Sequence, residues 1–477
     1  MAAKFGTSGL RGLSTELVGA VSALYATAFA RYLLANGLAA DGSEIAVARD
    51  FRSSSPEIAA TVMGALQREG LKPLDCGTVP TPALALYAMG RGIASIMVTG
   101  SHIPADRNGI KFYRPDGEIG KDDEAQITAL ATALERDPVA NRIETAVGEN
   151  HEAEAAQLFL QRNCAILPVG SLDGLTIGVY QHSTVARDLL VEVVEHYGAR
   201  AVALGRSETF IPVDTEAVSP ETAVLLTQWA GEQTLDAIIS ADGDGDRPLV
   251  ADEAGLPLRG DLLGLVAARF LGAEMVATPV TSNSGIETAG SFEVVRTRVG
   301  SPFVIAAMNE ALEKGRSGVL GFEANGGLML ASPFAPGGRS LAPLPTRDSF
   351  LPILAILATA AERGVPLSTV VSGYSLPVAV ADRLENFATE KSAALMRYLR
   401  QSPENLQQFL APIGEVEHTS DIDGLRVTLK DRSVIHFRPS GNAPEMRCYV
   451  EAKDEAAAAR LLAAGLARIR EWALGRE

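Results

Sequence analysis

The chain has 477 residues, which at about 150 residues per domain predicts roughly three domains. Hydrophobic residues make up 47% of the chain and charged residues 21%, close to a globular average, which argues against a disordered protein. The 42 basic and 58 acidic residues give a net charge of −16, which argues against a general binder of nucleic acid or anionic membranes. An anionic substrate would therefore need a local cationic site.

The three cysteines, Cys76, Cys164 and Cys448, lie far apart and show no metal-ligand spacing. This argues against a disulfide framework and against a structural zinc site. The N-terminal sequence MAAKFGTSGLRG lacks the apolar core of a signal peptide, and the long apolar run after Phe350 is too short to cross a bilayer. We therefore expect a cytoplasmic protein that binds neither nucleic acid nor membranes. The sequence does not predict its oligomeric state.

Short β-rich runs alternate with amphipathic helical patterns along most of the chain, which predicts an α/β fold with largely parallel, covered sheets. The first helix pattern covers 54–70, with Ser55 as its N-cap and Gly70 at its C-terminal stop. The other predicted elements, in chain order, are strands 44–50, 71–77, 92–100 and 175–183, helix 184–198, strand 235–241, helix 261–272, strand 274–282, helix 303–315 and strand 318–323.

The last hundred residues have a different rhythm, because strands 424–430 and 433–439 read as a hairpin and 454–472 as a terminal helix. This pattern predicts a smaller α+β domain. Polar and turn-forming stretches then suggest the domain limits. The predicted domains are 1–150, 151–255, 256–370 and 371–477.

An apolar strand runs directly into each of four polar or glycine-rich loops, which contain Ser101, Asp242, Glu323 and Ser440. Ligands of open α/β sheets bind beyond the carboxyl ends of the strands. We therefore expect one loop from each domain to face a shared cleft. Four unrelated surface turns are the alternative.

In DGDGDR, Asp242, Asp244 and Asp246 place three hard oxygen ligands at alternate positions, and carboxylates this close repel each other unless a cation neutralises them. A solvated acidic turn is one alternative. A calcium EF-hand loop is another, but Arg247 stands at its sixth position instead of glycine, and a strand precedes the loop instead of a helix. The sequence favours one Mg²⁺ ion per chain that assists a phosphate group.

Ser101 follows a glycine at the end of an apolar strand, with His102 beside it and Lys111 ten residues later. The G-x-S-x-G elbow of a hydrolase nucleophile is absent. A serine that carries a phosphoryl group needs only exposure, a nearby cation and in-line access. A serine that caps a turn stays open as the alternative.

Two further loops offer groups that suit a phosphosugar. In GFEANGG, Glu323 and Asn325 provide the paired acceptors and donors that sugar hydroxyls require. In RPSGNAPEMR, basic side chains surround a small-residue turn that can form an anion nest, although an ordinary hairpin turn is the alternative. The candidate phosphate-binding residues there are Arg438, Ser440, Gly441, Asn442 and Arg447.

Taken in this order, the loops resemble those of the α-D-phosphohexomutase family, and the resemblance spans essentially the whole chain. FGTSGLRG is similar to the opening signature of that family, TGSHIPADRNGIKFY to its phosphoserine loop, SADGDGDRP to its metal loop and RPSGNAPEMR to its phosphate-binding loop. The resemblance implies three related α/β domains with mixed sheets and a smaller C-terminal α+β domain around a central cleft.

The resemblance also implies roles for individual residues. Ser101 corresponds to the phosphorylated serine, whose phosphate would hold Mg²⁺ together with the three aspartates. Arg11 and Lys111 match basic residues near the transferring phosphate, with Lys111 a candidate acid or base. His102 and Arg247 complete the expected catalytic set.

The implied activity is the interconversion of hexose 1-phosphate and hexose 6-phosphate, with a phosphoserine enzyme and hexose 1,6-bisphosphate as intermediate and activator. Mannose is the favoured sugar, and phosphoglucomutase and phosphoglucosamine mutase stay open. Two loops differ from common branches of the family. The serine loop has Ile103 where many members have asparagine, and the sugar loop has Asn325 where serine is usual and Gly327 where some members have histidine. A phosphatase and a catalytically silent phosphosugar sensor are less favoured alternatives.

Overall fold

The structure is a computed structural model and describes residues 3–6, 9–440 and 444–474. The strands, in chain order, are β1 Lys4–Phe5, β2 Leu10–Leu13, β3 Glu44–Arg49, β4 Lys72–Asp75, β5 Ala94–Val98, β6 Arg107–Arg114, β7 Gly117–Glu118, β8 Glu149–Asn150, β9 Thr176–Tyr180, β10 Arg200–Leu204, β11 Ala237–Ala241, β12 Pro248–Ala251, β13 Met275–Pro279, β14 Glu293–Thr297, β15 Val319–Phe322, β16 Leu328–Leu330, β17 Leu344–Asp348, β18 Val378–Leu384, β19 Val416–Ser420, β20 Leu425–Leu429, β21 Val434–Pro439 and β22 Met446–Ala452.

The helices, in chain order, are α1 Ser14–Glu16, α2 Ser22–Ala35, α3 Ser55–Arg68, α4 Thr81–Arg91, α5 Lys121–Leu134, α6 Glu152–Cys164, α7 Arg187–His196, α8 Pro220–Glu232, α9 Gly260–Leu271, α10 Ile286–Ala289, α11 Ser301–Glu313, α12 Phe350–Arg363, α13 Leu367–Ser372, α14 Thr389–Gln401, α15 Pro403–Leu410 and α16 Glu455–Leu474. The predicted N-cap of α3 was wrong by one residue. The cap is Ser54, and the Ser55 hydroxyl instead donates to Asp50 Oδ1 at 2.5 Å.

The chain forms two compact units. The first unit comprises Met1–Ala277 with Gly300–Gly373, and the second comprises Thr278–Val299 with Tyr374–Glu477. The second unit is therefore built from two separate stretches of sequence. The four domain limits drawn from the sequence stay a prediction.

Each sheet of the first unit combines neighbouring parallel strands with antiparallel strands toward one edge. In the first sheet β4, β3 and β5 are parallel, and β6 and β2 follow as antiparallel neighbours. In the second sheet β10, β9 and β11 are parallel and β12 is antiparallel. In the third, β13 and β15 are parallel, and β16 and β17 add antiparallel strands. The predicted α/β class and the mixed sheets implied by the resemblance are confirmed, whereas the largely parallel sheets expected from the alternation of strands and helices are not found.

Each of the three polar loops of the first unit joins a parallel strand to its antiparallel neighbour. The loop that contains Ser101 joins β5 to β6, the aspartate loop joins β11 to β12, and the loop that contains Glu323 joins β15 to β16. These loops are hairpin connections, so both of their ends are fixed by strand pairing. That anchorage positions polar side chains more rigidly than a free crossover loop would.

The second unit contains an antiparallel sheet in the order β18-β22-β21-β20-β19. Helix α16 covers it with Ala458, Leu466 and Ile469, which are buried and recur at helical spacing. The predicted hairpin is β20 with β21, and the predicted terminal helix is α16. A fourth polar loop joins β21 to β22, but Gly441 and Asn442 lie outside the described residues.

One helical stretch among the described residues, Ser14–Ala35, is long and apolar enough to cross a membrane by length and composition alone. It lies near the N-terminus, and 72% of the apolar window is buried within the structure, where Leu24, Phe29 and Leu33 pack in the core of the first sheet. Core helices pass the same test of length and composition. The cytoplasmic location stays a prediction.

Candidate active site

Ser101 lies just after β5 with its backbone in the left-handed region, at a φ of 55°. Its N–H donates to Thr99 Oγ1 at 2.7 Å, and its side chain is buried. Left-handed backbone is uncommon for residues other than glycine, so the surrounding contacts must hold it. The loop is therefore preorganised around the serine.

The guanidinium of Arg52 supplies much of that support and was not predicted from the sequence. It is buried, pairs with Asp50 Oδ2 at 3.2 Å and stacks 4.0 Å from the centre of the Phe210 ring. Five donors in a fixed fork suit a set of carbonyl acceptors. The guanidinium donates to the backbone carbonyls of Ser101 at 3.0 Å, Ile103 at 2.6 Å, Pro104 at 2.7 Å and Arg107 at 2.8 Å.

The aspartate loop meets the serine loop directly. The Ser101 hydroxyl donates to Asp242 Oδ2 at 2.5 Å. A Cβ on Gly243 would lie 2.7 Å from the carbonyl oxygen of Ser101, so glycine is needed for this approach. Carboxylate oxygens of Asp242, Asp244 and Asp246 all lie within 4.8 Å of one another, and the three side chains are fully buried. The structure thus brings together the serine and the three predicted metal ligands.

Donors occupy one oxygen of each of the last two aspartates. Lys111 Nζ lies 2.5 Å from Asp244 Oδ2 and 2.5 Å from Asp246 Oδ2, and Arg347 Nε lies 3.0 Å from the same Asp246 oxygen. The other oxygens, Asp244 Oδ1 and Asp246 Oδ1, are buried and accept no hydrogen bond from the described residues. Buried carboxylate oxygens without a donor are costly, and they are the ligands that Mg²⁺ prefers. The donor set fits a divalent cation.

The pKa shifts of Asp242 and Asp246 also favour a bound cation. Burial, together with the neighbouring Asp244 and Asp246 carboxylates, raises the pKa of Asp242 to about 8. Burial would also raise the pKa of Asp246, but Arg347 and Lys111 hold it below its ordinary value. The raised pKa of Asp242 shows that the three buried carboxylates disfavour one another's charge, and a bound cation would relieve that repulsion.

His102 connects the serine to a basic side chain. Its Nδ1 lies 3.2 Å from Ser101 Oγ and accepts from Arg247 Nη1 at 2.9 Å. Burial and the Arg247 charge lower the pKa of His102, so the imidazole is neutral with Nδ1 as the acceptor. The neutral imidazole therefore holds the Arg247 guanidinium beside the serine.

The site also contains the local cationic group that the net charge of the chain requires. Burial and the nearby Arg247 and Arg347 guanidinium groups lower the pKa of Arg11 to about 10, which leaves it charged near neutral pH. Arg347 also donates to Glu323 Oε2 at 3.2 Å, so it links the aspartate loop to the predicted sugar loop. Three arginines and a lysine around one cluster form a place for a phosphate group.

The predicted sugar loop is buried beside this site. Asn325 Oδ1 accepts the N–H of Gly327 at 3.0 Å, and the Asn325 carbonyl accepts from Thr215 Oγ1 at 3.3 Å. The Asn325 side-chain oxygen is thus engaged in stabilising its own turn. The sugar-binding roles of Glu323 and Asn325 stay predictions.

In the second unit, strand register aligns three arginines. Arg438 on β21 lies directly opposite Arg447 on β22, and Arg447 lies directly opposite Arg383 on β18. Opposite residues of an antiparallel pair point to the same face of the sheet. Ser440 begins the adjoining loop, where its N–H donates to the Glu445 carbonyl at 3.0 Å. This arginine row (Arg383, Arg447 and Arg438) contains two predicted residues and one that the sequence did not reveal.

The chain is similar to family models and known proteins along most of its length. Models described as phosphoglucomutase/phosphomannomutase alpha/beta/alpha domain I, alpha/beta/alpha domain III and C-terminal domain match residues 2–137, 259–375 and 380–467. A protein named Phosphomannomutase from Sinorhizobium fredii is 59% identical over 98% of each chain. Another of that name from Salmonella muenchen is 39% identical over 98% of this chain and 95% of its own.

A solved structure of a phosphoglucomutase/phosphomannomutase family protein from Burkholderia thailandensis is similar to this structure, with a TM-score of 0.76 at 22% identity. The likeness covers 98% of this chain and 97% of that one, and at this identity it shows a shared fold. The family models and the two relatives also show which family the chain belongs to. The chain belongs to the α-D-phosphohexomutase family of phosphoglucomutases and phosphomannomutases.

Proposed function

We propose that this enzyme interconverts mannose 1-phosphate and mannose 6-phosphate as an intramolecular phosphotransferase, with Ser101 as the residue that carries the phosphoryl group. The observation that carries the proposal is the contact between the Ser101 hydroxyl and Asp242, at the edge of three buried carboxylates. The sugar is taken from the relatives named phosphomannomutase, of which one shares more than half of its residues with this chain.

Asp242, Asp244 and Asp246 would hold one Mg²⁺ ion together with an oxygen of the Ser101 phosphate. When bound, Mg²⁺ would neutralise charge on the phosphate oxygens during transfer. The aspartates suit this role because two of them have a buried oxygen that accepts no hydrogen bond from the part of the chain that the structure describes. Arg11, Arg247 and Lys111 add positive charge around the same phosphate.

The reaction consists of two phosphoryl transfers. In the first, the bond between phosphorus and Ser101 Oγ breaks as a bond to a sugar hydroxyl oxygen forms, which gives hexose 1,6-bisphosphate. The proton that the sugar hydroxyl loses is the one that Ser101 Oγ takes up, so the first transfer balances. In the second transfer Ser101 Oγ attacks the other phosphate of the bisphosphate, and its proton passes to the sugar oxygen that leaves.

Substrate binding needs a second anion site, because the bisphosphate has two phosphate groups. The arginine row of the second unit supports that role, since strand register places three arginines on one face of a sheet and guanidinium groups bind phosphate through charge-assisted hydrogen bonds. Glu323, next to Arg347, offers acceptors for sugar hydroxyls. Neither the arginine row nor Glu323 has to distinguish the two orientations in which the bisphosphate would bind.

The test follows mannose 1-phosphate by ³¹P NMR in the presence of Mg²⁺ and a trace of hexose 1,6-bisphosphate. The parent should produce mannose 6-phosphate without accumulating inorganic phosphate, and intact-mass spectrometry should find a species heavier by one phosphate. Ser101→Ala should lose both the added mass and nearly all turnover, whereas Ser53→Ala, at an exposed serine of the same unit, should retain both. Full turnover by Ser101→Ala would end the phosphoserine mechanism, and release of inorganic phosphate would indicate a phosphatase.

A further inference from the structure

The N-terminus of α4 contacts the aspartate loop through one residue. Thr81 is fully buried, its N–H donates to the carbonyl oxygen of Asp244 at 2.9 Å, and its hydroxyl donates to Asp244 Oδ2 at 2.5 Å. The two residues are 163 positions apart in the sequence. Pro80 precedes the helix with extended backbone and packs near Gly245, so the approach of α4 to the loop is fixed on both sides of the contact.

The hydrogen bonds divide the six carboxylate oxygens of the triad into two sets. Asp242 Oδ1 accepts the N–H groups of Asp246 and Arg247 at 3.1 Å, so the loop backbone occupies it. Oδ2 of Asp244 accepts from Thr81 and Lys111, and Oδ2 of Asp246 from Lys111. The other three oxygens form the second set. Asp242 Oδ2 faces Ser101, and the Oδ1 atoms of Asp244 and Asp246 accept no hydrogen bond from the described residues.

Thr81 differs from the other donors of the triad in two respects. Lys111 bridges Asp244 and Asp246, so its ammonium group does not orient one carboxylate independently of the other. Thr81 contacts Asp244 alone, through a short β-branched side chain with few rotamers. Its hydroxyl is neutral, so it fixes the plane of the carboxylate without repelling a cation that binds to the other oxygen.

We propose that Thr81 is a positioning residue of the metal centre, which holds Oδ2 of Asp244 so that Oδ1 is directed to the cation. This inference rests on the metal site of the proposed function. Groups that hydrogen-bond to metal-ligating side chains fix their orientation, and their loss lowers metal affinity about 10-fold to 100-fold. Thr81→Val keeps the shape and the β-branch but removes the donor, whereas Thr81→Ser keeps the donor.

The experiment measures the Kd for Mg²⁺ and for Mn²⁺ by isothermal titration calorimetry on chelator-treated enzyme, with Ser101 phosphorylation matched by intact mass. Thr81→Val should weaken both Kd values about 10-fold to 100-fold, and the metal concentration for half-maximal activity should rise by a similar factor. Thr81→Ser should stay within about 3-fold of the parent. Thr78→Val is the matched control, because its hydroxyl donates to Glu152 and not to the aspartate loop.

A Kd for Thr81→Val within 2-fold of the parent would overturn the proposal, as would an equal weakening of Thr81→Ser or Thr78→Val. Thr81→Ala is measured beside the valine variant, and the metal-free melting temperature of each is recorded. If valine does not fold, the alanine variant decides between the same two outcomes. A parent that binds neither metal would contradict the metal site of the proposed function, whereas a parent that binds them beside an unaffected Thr81→Val would contradict only the role of Thr81.

Discussion

Replacing Arg447 by alanine should impair substrate use without destabilising the second unit. Arg447 occupies the middle of the arginine row, between Arg383 and Arg438. Its acidic neighbour Glu445 is 3.4 Å away and also lies 3.5 Å from Arg383. The outer arginines have further carboxylate partners, since Glu385 lies 3.0 Å from Arg383 and Asp423 lies 3.0 Å from Arg438. Arg447 shares Glu445 with Arg383, and its buried Nε donates no hydrogen bond to the described residues, so this guanidinium is the one in the row best able to bind an anion.

The size of the effect follows from the type of contact. A charge-assisted bond from arginine to phosphate contributes about 1.5 to 3 kcal/mol, which corresponds to a loss of roughly 10-fold to 200-fold in kcat/KM. Arg447→Lys keeps the charge but loses the planar fork, so its loss should be smaller. Arg438→Ala should show a similar loss in kcat/KM but should also lower stability, because Arg438 pairs with Asp423 at 3.0 Å.

The assay measures kcat/KM for mannose 1-phosphate and mannose 6-phosphate at saturating Mg²⁺, together with the melting temperature. Arg460→Ala, which removes an exposed arginine from α16 in the same unit, is the matched control for a general loss of positive charge. The control should keep the parent kcat/KM. Parent kinetics in Arg447→Ala with a lowered melting temperature would refute the reasoning and assign the row a structural role.

Three further predictions concern the sugar, the metal and pH. The enzyme should use mannose and glucose phosphates with kcat/KM values within roughly 200-fold of each other, because these two sugars differ only at C2. Glucosamine phosphate should be the poorer substrate. A kcat/KM ratio between mannose and glucose phosphates above about 10⁴ would mean that a buried polar group contacts C2. Chelation should stop turnover and Mg²⁺ should restore it, and Asp244→Asn should weaken metal binding while Asp116→Asn, at an exposed position, should not. Burial and the nearby Arg426 and Arg438 charges lower the pKa of His436 to about 4. As the pH falls below about 6.5, His436 therefore takes up a proton in the unfolded chain while it stays neutral in the folded chain. The free energy of unfolding should decrease by roughly 2 kcal/mol by pH 5 for this reason. Denaturant titrations at pH 7 and pH 5 check this: His436→Gln should reduce the difference, and His418→Gln, at an exposed histidine of the same unit, should not.

The α/β rhythm could be predicted because the central strands are short apolar runs between helical patterns. The antiparallel partners β6, β12 and β16 escaped prediction, since each follows a polar loop directly and its pairing is set by register across that loop. The loops of these hairpins have five residues or more, so they lack the two-residue turn signal that identifies hairpins in sequence. The sheets therefore looked more parallel than they are.

The linear part of the site was visible because glycines, aspartates and the serine stand together in short loops. Arg52, Thr81 and Arg347 were not, because each is a single polar residue whose partners lie elsewhere in the chain. Thr81 and Asp244 are joined only by the packing of α4 against the aspartate loop, and no local spacing encodes that contact. Arg383 lies in the arginine row because β18 pairs with β22 in a register that places it opposite Arg447. A sequence pattern without turn signals does not specify that register.

The second unit cannot be isolated as a simple C-terminal fragment. Its stretch Thr278–Val299 is inserted between two parts of the first unit, and a fragment that begins at Tyr374 would lack it. Such a fragment would leave Glu451 without the Ser284 N–H, 3.1 Å away, and Asp423 without the Val299 N–H, 3.0 Å away. Asp423 is also the partner of Arg438, so this truncation would loosen the arginine row. A circular permutant that places Thr278–Val299 in one stretch with the C-terminal residues is the better route to studying this unit alone.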